Sequence, residues 1–128
     1  MSYYFSKTIE GDFEKAIDRV KSELKEEGFG VLTEIDIKDT MKKKLDVDFK
    51  KYRILGACNA PYAHKALQAE DKVGTMLPCN VIVQETDDQK VEIAAVNPLA
   101  SMQAIENSNL ESIAKEIAQK LQRVIDSV

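Results

Sequence analysis

Residues 79–98 read CNVIVQETDDQKVEIAAVNP, two short apolar runs joined by a polar turn. The first run predicts a strand from Cys79 to Thr86, and the second predicts a strand from Val91 to Val96, because both are rich in β-branched residues. Residues 87–89 are typical of a hairpin turn, and the Asn97-Pro98 step ends the second strand. Strands joined by a short hairpin turn run antiparallel, so this stretch predicts an antiparallel sheet.

Three further strands are predicted before the hairpin, over Tyr3 to Ile9, Phe29 to Ile37 and Tyr52 to Cys58. The second of these alternates between apolar and polar residues, which is typical of a half-buried strand. Strict alternation predicts one face made of Phe29, Val31, Thr33, Ile35 and Ile37, and a wetter face made of Leu32, Glu34 and Asp36.

Two long amphipathic helices flank this strand region. Asp12 is predicted to cap the first helix, whose apolar stripe runs from Phe13 to Leu24 and which Gly28 ends. The second helix begins at a capping box, Ser108-Asn109-Leu110-Glu111, and carries an apolar stripe as far as Val128. Shorter helices are predicted from Asp39 to Leu45, with Met41 and Leu45 as an apolar pair, and from Pro61 to about Glu70, with Val73-Gly74 in a loop.

The order of elements is β-α-β-(α)-β-(α)-β-β-α, which predicts an α+β fold. We expect an antiparallel-rich five-stranded sheet with both long helices on one face, a β-α-β4-α type with extra short helices. The opposite face would be open or covered by a second copy of the chain. The length of 128 residues predicts a single domain over residues 1–128.

Composition and charge narrow the function classes. An apolar fraction of 44%, a charged fraction of 31% and a net charge of −4 are typical of a water-soluble globular protein and do not favour nucleic-acid binding. No signal peptide and no apolar run of ~18 residues is found, so we expect a cytoplasmic protein that does not enter membranes. Residues 38–53 carry seven basic and three acidic side chains; they predict a solvated face or a docking patch for an anionic partner.

The concentrated chemical signal is a pair of cysteines, Cys58 and Cys79, each followed by an asparagine. Both lie at predicted strand ends, and a helix beginning near Pro61 would aim its positive end at Cys58, a setting that favours the thiolate. If the two strands pair, the two Cys-Asn steps meet. The alternative is that both thiols pack as small hydrophobes.

Metal and enzyme signatures are weak. The cysteines lack a C-x-x-C spacing, and His64 is the single histidine, so a zinc site made of two thiols, His64 and water is disfavoured. The chain has no G-x-G-x-x-G, P-loop, H-E-x-x-H or G-x-S-x-G motif. The sequence therefore assigns no cofactor and leaves open whether the protein is an enzyme.

Three segments together resemble the bacterial and archaeal family called domain of unknown function 302. They are GFGVLTEID at 28–36, YRILGACNAP at 52–61 and LPCNVIV at 77–83. Asn97-Pro98 followed by Met102 resembles the family's last motif, in which aspartate usually stands at the position of Asn97. The resemblance implies a TATA-binding-protein-like fold, often dimeric, and implies no established activity.

Three functional hypotheses follow. The first is a small-ligand-binding or thiol-redox module whose site comprises Cys58, Asn59, Cys79, Asn80 and Asn97. The second is a structural or interaction homodimer that uses the sheet or the basic patch around Lys42-Lys43-Lys44. The third is an enzyme acting on a sulfur-containing or acyl substrate through Cys79, for which the sequence places no general base.

Overall fold

Five strands form one antiparallel sheet in a computed structural model of the chain, which describes residues 1–128. The spatial order is β1-β5-β4-β3-β2. The predicted hairpin is its centre: β4 and β5 pair antiparallel, and β3 pairs with the other edge of β4. The bounds are β1 Tyr4–Ile9, β2 Gly30–Asp36, β3 Tyr52–Cys58, β4 Cys79–Glu85 and β5 Val91–Val96.

Five α-helices and one short 3₁₀ helix accompany the sheet. The helices are α1 Phe13–Glu26, α2 Ile37–Leu45, α3 Ala60–Ala69, α4 Pro98–Ser101 and α5 Ser108–Ser127. The 3₁₀ helix covers Asp71–Met76, where the sequence predicted a loop. Its Val73 is completely buried, which explains why this segment is ordered into a helical turn.

The main core lies between one face of the sheet and the two long helices, α1 and α5. The apolar stripe of α1 and that of α5 join alternate residues of β3, β4 and β5, such as Leu55, Val81 and Ile93, in one cluster. Burial of this kind contributes about 25 cal/mol per Å² of apolar surface. The predicted α+β fold with both long helices on one face is confirmed. The other, open face carries the exposed or half-buried side chains of Tyr4, Tyr52 and Ile82.

The N-cap residue of α1 is the predicted one, whereas those of α2 and α5 differ from the prediction. Asp12 caps α1 as predicted, accepting a hydrogen bond from the Lys15 backbone N–H at 3.0 Å. Asp36, not Asp39, caps α2, because β2 leads into this helix without a linker. Asn107, not Ser108, caps α5, its side-chain oxygen accepting from two backbone N–H groups of the first turn.

The prediction of strict alternation along β2 was wrong, because the strand contains a β-bulge. Val31 lies opposite Ala57 and Thr33 opposite Gly56, which leaves Leu32 as the extra residue. A bulge reverses the alternation that follows it. Glu34 and Asp36 therefore share the helix-covered face with Val31, whereas the sequence predicted them on the opposite face.

A smaller hydrophobic cluster lies beside the main core. It is built from Ala66 of α3, Val73 of the 3₁₀ helix and Leu110 of α5. Ile113 of α5 packs against both clusters. In α2, by contrast, no residue is buried, and Leu45 of its predicted apolar pair is exposed.

Candidate functional site

A cavity of about 290 Å³ opens where the two hydrophobic clusters meet. Its walls come mainly from α3, the first half of α5, and the adjoining ends of β3 and β4, with further residues from the regions of β2 and α4. Small side chains leave the space, because α3 presents alanines here and α5 adds another. The lining includes Phe29, Leu32, Ala57, Tyr62, Ala63, Ala66, Leu67, Leu77, Pro78, Pro98, Met102, Leu110, Ile113, Ala114 and Ile117.

Both cysteines line this cavity. The antiparallel pairing of β3 and β4 sets Ala57 opposite Cys79, so Cys58 lies diagonally next to Cys79 across the two strands. Both are free thiols; Cys58 is half-buried and Cys79 is 8% exposed. Burial, and to a lesser degree the neighbouring Cys58, raises the pKa of the Cys79 thiol to about 11. Cys79 is therefore a protonated, uncharged wall residue at neutral pH.

Asn59 is the amide that lines the cavity, and it is 7% exposed. Its Nδ2 donates to the Glu27 carbonyl oxygen at 3.1 Å, which joins the start of α3 to the end of α1. Asn59 occupies the N-cap position of α3, but its side chain forms no hydrogen bond with the α3 backbone. Its Oδ1 accepts no hydrogen bond from the chain and is not completely buried.

The other two asparagines of the predicted site lie outside the lining of the cavity. Asn80 is exposed on the open face of the sheet, because successive strand residues point to opposite faces. Asn97 is buried, with both ends of its amide engaged by backbone: Nδ2 donates to the Ser2 carbonyl, and Oδ1 accepts from the Leu99 N–H, each at 3.1 Å. Asn97 thus caps α4 and ties down the N-terminus.

The model of the family described as domain of unknown function DUF302 matches residues 5–128. The chain belongs to this family. A crystal structure of an uncharacterized conserved DUF302 protein from Bacillus stearothermophilus is similar, with a TM-score of 0.92 and 26% identity over 99% of this chain and 98% of that chain. No curated protein was found to match. The TATA-binding-protein-like fold that the sequence resemblance implied stays a prediction.

The helical walls of the cavity in this DUF302 chain were not predicted from its sequence. Tyr62, Ala63, Ala66 and Leu67 of α3 fall at helical spacing, directly after the CNAP motif. A helix face that combines alanines with larger apolar residues is typical of incomplete packing. This pattern was the sequence signal from which a cavity beside α3 could have been predicted. The cavity-lining residues of α5 could not be distinguished in the sequence, because they belong to the same unbroken apolar stripe that packs in the main core.

The remaining chemical candidates are accounted for by packing and charge. No group of three His, Cys, Asp or Glu side chains is close enough to hold a metal ion, and His64 is exposed on α3. In the basic stretch, Lys42 pairs with Asp46 at 3.0 Å and Lys43 with Asp39 at 2.9 Å. Arg53 pairs with Glu34 at 2.7 Å, so three of the seven basic side chains of this stretch form ion pairs within the chain.

The helices of this DUF302 chain were compared with the requirements for a membrane-spanning helix. None of its helices combines the length and the apolar character needed to cross a bilayer.

Proposed function

We propose that this DUF302 protein binds a small, largely apolar molecule in the cavity beside Cys58 and Cys79. The observation that supports this most directly is the cavity itself: about 290 Å³, walled almost entirely by apolar side chains, with the Asn59 amide as its polar exception. Small-molecule sites are typically apolar pockets with a few placed polar groups, and their volumes begin at ~300 Å³. A cavity of ~150 Å³ already binds benzene.

In this proposal the thiols serve as apolar walls, and Asn59 orients the ligand. The Nδ2 of Asn59 is held by the Glu27 carbonyl, which fixes the amide so that Oδ1 is the free acceptor. A ligand hydroxyl or N–H group is the natural donor to that oxygen. A redox role for the pair is less well supported, because the protonated state of Cys79 removes it as an attacking thiolate at neutral pH. Free thiols fit a reducing compartment, so we place the protein in the cytoplasm.

The test uses N-phenylnaphthylamine, a neutral apolar dye whose fluorescence rises in apolar sites. We expect saturable binding to the wild-type protein and its loss in Ala63→Phe, because the phenyl ring would occupy the cavity that Ala63 lines. The matched control is Ala69→Phe, which changes a half-buried alanine of the same helix outside the lining. Equal dye binding by both variants would contradict the proposal.

Self-association through the open sheet face is a second candidate function. This face presents exposed Tyr4 with the half-buried Tyr52 and Ile82 around a shallow depression, and aromatic residues are enriched at protein interfaces. Sedimentation of the wild type would give a dimer that Ile82→Lys dissociates. Leu45→Lys, on exposed α2, is the control that should leave the dimer intact. A wild-type monomer at micromolar concentration would rule this function out.

A further inference from the structure

Two lysines lie against the ring of Tyr62, a residue of the first turn of α3 that forms part of the cavity lining. The Nζ of Lys65 lies 5.5 Å from the centre of the Tyr62 ring, and the Nζ of Lys120 on α5 lies 5.7 Å from it. The two ammonium groups therefore approach the same aromatic wall from two different helices. A favourable cation–π contact holds each of them there.

Neither of these lysines has an acidic partner. No carboxylate lies within ion-pair distance of Lys65 or Lys120, although Lys120 is half-buried. The nearby carboxyl group is that of Glu27, whose pKa is lowered mainly by the hydrogen bond from Arg123 and to a lesser degree by the charge of Lys120. Glu27 is already bound by Arg123 through two hydrogen bonds of 3.1 and 2.9 Å. Lys65 and Lys120 thus have no ion-pair partner, unlike Lys42 and Lys43 of α2.

The N-terminus of α3 adds to the positive electrostatic potential near Tyr62. The first N–H groups of α3 receive no side-chain cap, since the Asn59 amide is turned to Glu27 instead. Uncapped N–H groups and the helix dipole favour negative charge at this end. The positive groups and the apolar cavity therefore adjoin each other at Tyr62.

We propose that the ligand of the cavity is an amphipathic anion: an apolar body inside the cavity and one carboxylate-type group held by Lys65 and Lys120. This inference rests on the proposed ligand-binding function and specifies its ligand class. An apolar body suits the uncharged walls, whereas an anionic end gives the two unpaired ammonium groups the partner that the chain does not provide. A medium-chain or aromatic carboxylic acid has both features.

The experiment compares decanoate with decanol, two chains of equal length that differ in charge at one end. Each is titrated against the N-phenylnaphthylamine complex at neutral pH and low salt, and displacement gives the affinity. We expect decanoate to bind about tenfold more tightly than decanol, because hydrogen bonds to charged groups contribute about one order of magnitude in affinity. Raising the salt concentration should weaken decanoate and leave decanol unchanged.

The decisive variant is Lys65→Gln/Lys120→Gln. We expect it to bind decanoate about tenfold more weakly than the wild type and to bind decanol within about twofold of it. The matched control is Lys115→Gln, an exposed lysine of α5 that has no ion pair and, unlike Lys65 and Lys120, no contact with the Tyr62 ring. Circular dichroism establishes that each variant is folded.

The outcomes separate the two proposals. Dye and decanol binding without a preference for decanoate, or a double variant that keeps the preference, would overturn the anionic ligand and leave the apolar site standing. Failure of the dye and of both chains to bind the folded wild type would overturn the proposed function, and the inference with it. Loss of the decanoate preference in the double variant alone would support both.

Discussion

At the scale of single residues, Cys79 shows how position in a strand sets the chemistry of a side chain. It occupies the helix-covered face of β4 opposite Ala57, where it is removed from water. Burial raises its pKa to about 11, so the neutral thiol is the form present across the physiological range. Cys58, one residue beyond Ala57, is only half-buried. Two cysteines that look equivalent in the sequence therefore differ in access to solvent.

This difference predicts the order of alkylation. In Cys58→Ala, which leaves Cys79 alone, iodoacetamide should react at neutral pH at least about a hundredfold more slowly than with a free cysteine, because the raised pKa of Cys79 reduces its thiolate fraction. The rate should climb as the pH rises towards 11. In Cys79→Ala, which leaves Cys58, the reaction should be faster. Mass spectrometry of quenched samples measures both rates.

Unfolding in guanidinium supplies the control, since both variants should then react alike. Rapid neutral-pH alkylation of Cys79 in the folded Cys58→Ala variant would contradict the assignment of this thiol as a wall residue. It would also restore Cys79 as a candidate nucleophile.

The asparagines show which part of the site could be predicted from the two Cys-Asn steps. The sequence placed both steps at facing strand ends, and the structure brings Cys58, Asn59 and Cys79 to one cavity. Asn80 lies on the other face, because its side chain follows that of Cys79 in an alternating strand. Asn97 binds backbone groups at both ends of its amide, a use that depends on where the N-terminal segment passes and leaves no trace in local sequence.

At the scale of elements, β2 shows why the strand pattern was only partly predictable. Strand limits and pairing direction follow from composition and turns, and these predictions agree with the structure to within a residue or two. The bulge at Leu32 depends instead on the contacts of Gly56 in the next strand. A Cβ atom added at Gly56 would overlap Thr33 Oγ1, so Thr33 covers a position that only glycine leaves free.

The bulge has an electrostatic consequence, because it turns Glu34 towards α1. Glu34 pairs with Lys21 of α1 at 2.6 Å and with Arg53 of β3 at 2.7 Å. These contacts, the hydrogen bond from Lys21 first, hold the pKa of the Glu34 carboxyl below its usual value despite partial burial. A carboxyl group of this kind stabilises the fold above its ordinary pKa, and the contribution disappears as the pH falls through the lowered value.

We therefore expect Glu34→Gln to lower the free energy of unfolding at neutral pH by about 1 kcal/mol or less, since the carboxylate is one-third exposed and partly screened. The difference between variant and wild type should vanish in strong acid, where the wild-type carboxyl is protonated too. Urea unfolding at several pH values measures it. Glu10→Gln, at an exposed carboxyl without an ion pair, is the control; a difference for Glu34→Gln that is independent of pH would contradict the ionic explanation.

At the scale of the whole molecule, the cavity lies on the seam between the two hydrophobic clusters. Phe29, Cys79 and Ile117 reach it from the main core, whereas Ala66 and Leu110 reach it from the smaller cluster. Few side chains bridge this seam, so the packing there is incomplete. A ligand in the cavity would contact both clusters and connect them, which links the proposed function to the cooperativity of folding.

We propose that residues 1–128 fold as one domain. Substitution of Ile113 tests this proposal, because Ile113 packs against both clusters. The wild type should unfold in a single transition by circular dichroism and by thiol exposure alike. Ile113→Ala should lower stability by about 2 kcal/mol and broaden or split the transition, since it removes a side chain that packs against both clusters.

Ile117→Ala is the matched control, because Ile117 also lines the cavity but belongs to the main cluster alone. It should lower stability by a comparable or larger amount while the transition stays single, since it removes packing without severing the seam. Two transitions in the wild type would show that the clusters unfold independently and would contradict the single domain. A bound apolar ligand should restore one sharp transition to Ile113→Ala, because it replaces the missing contacts between the two clusters.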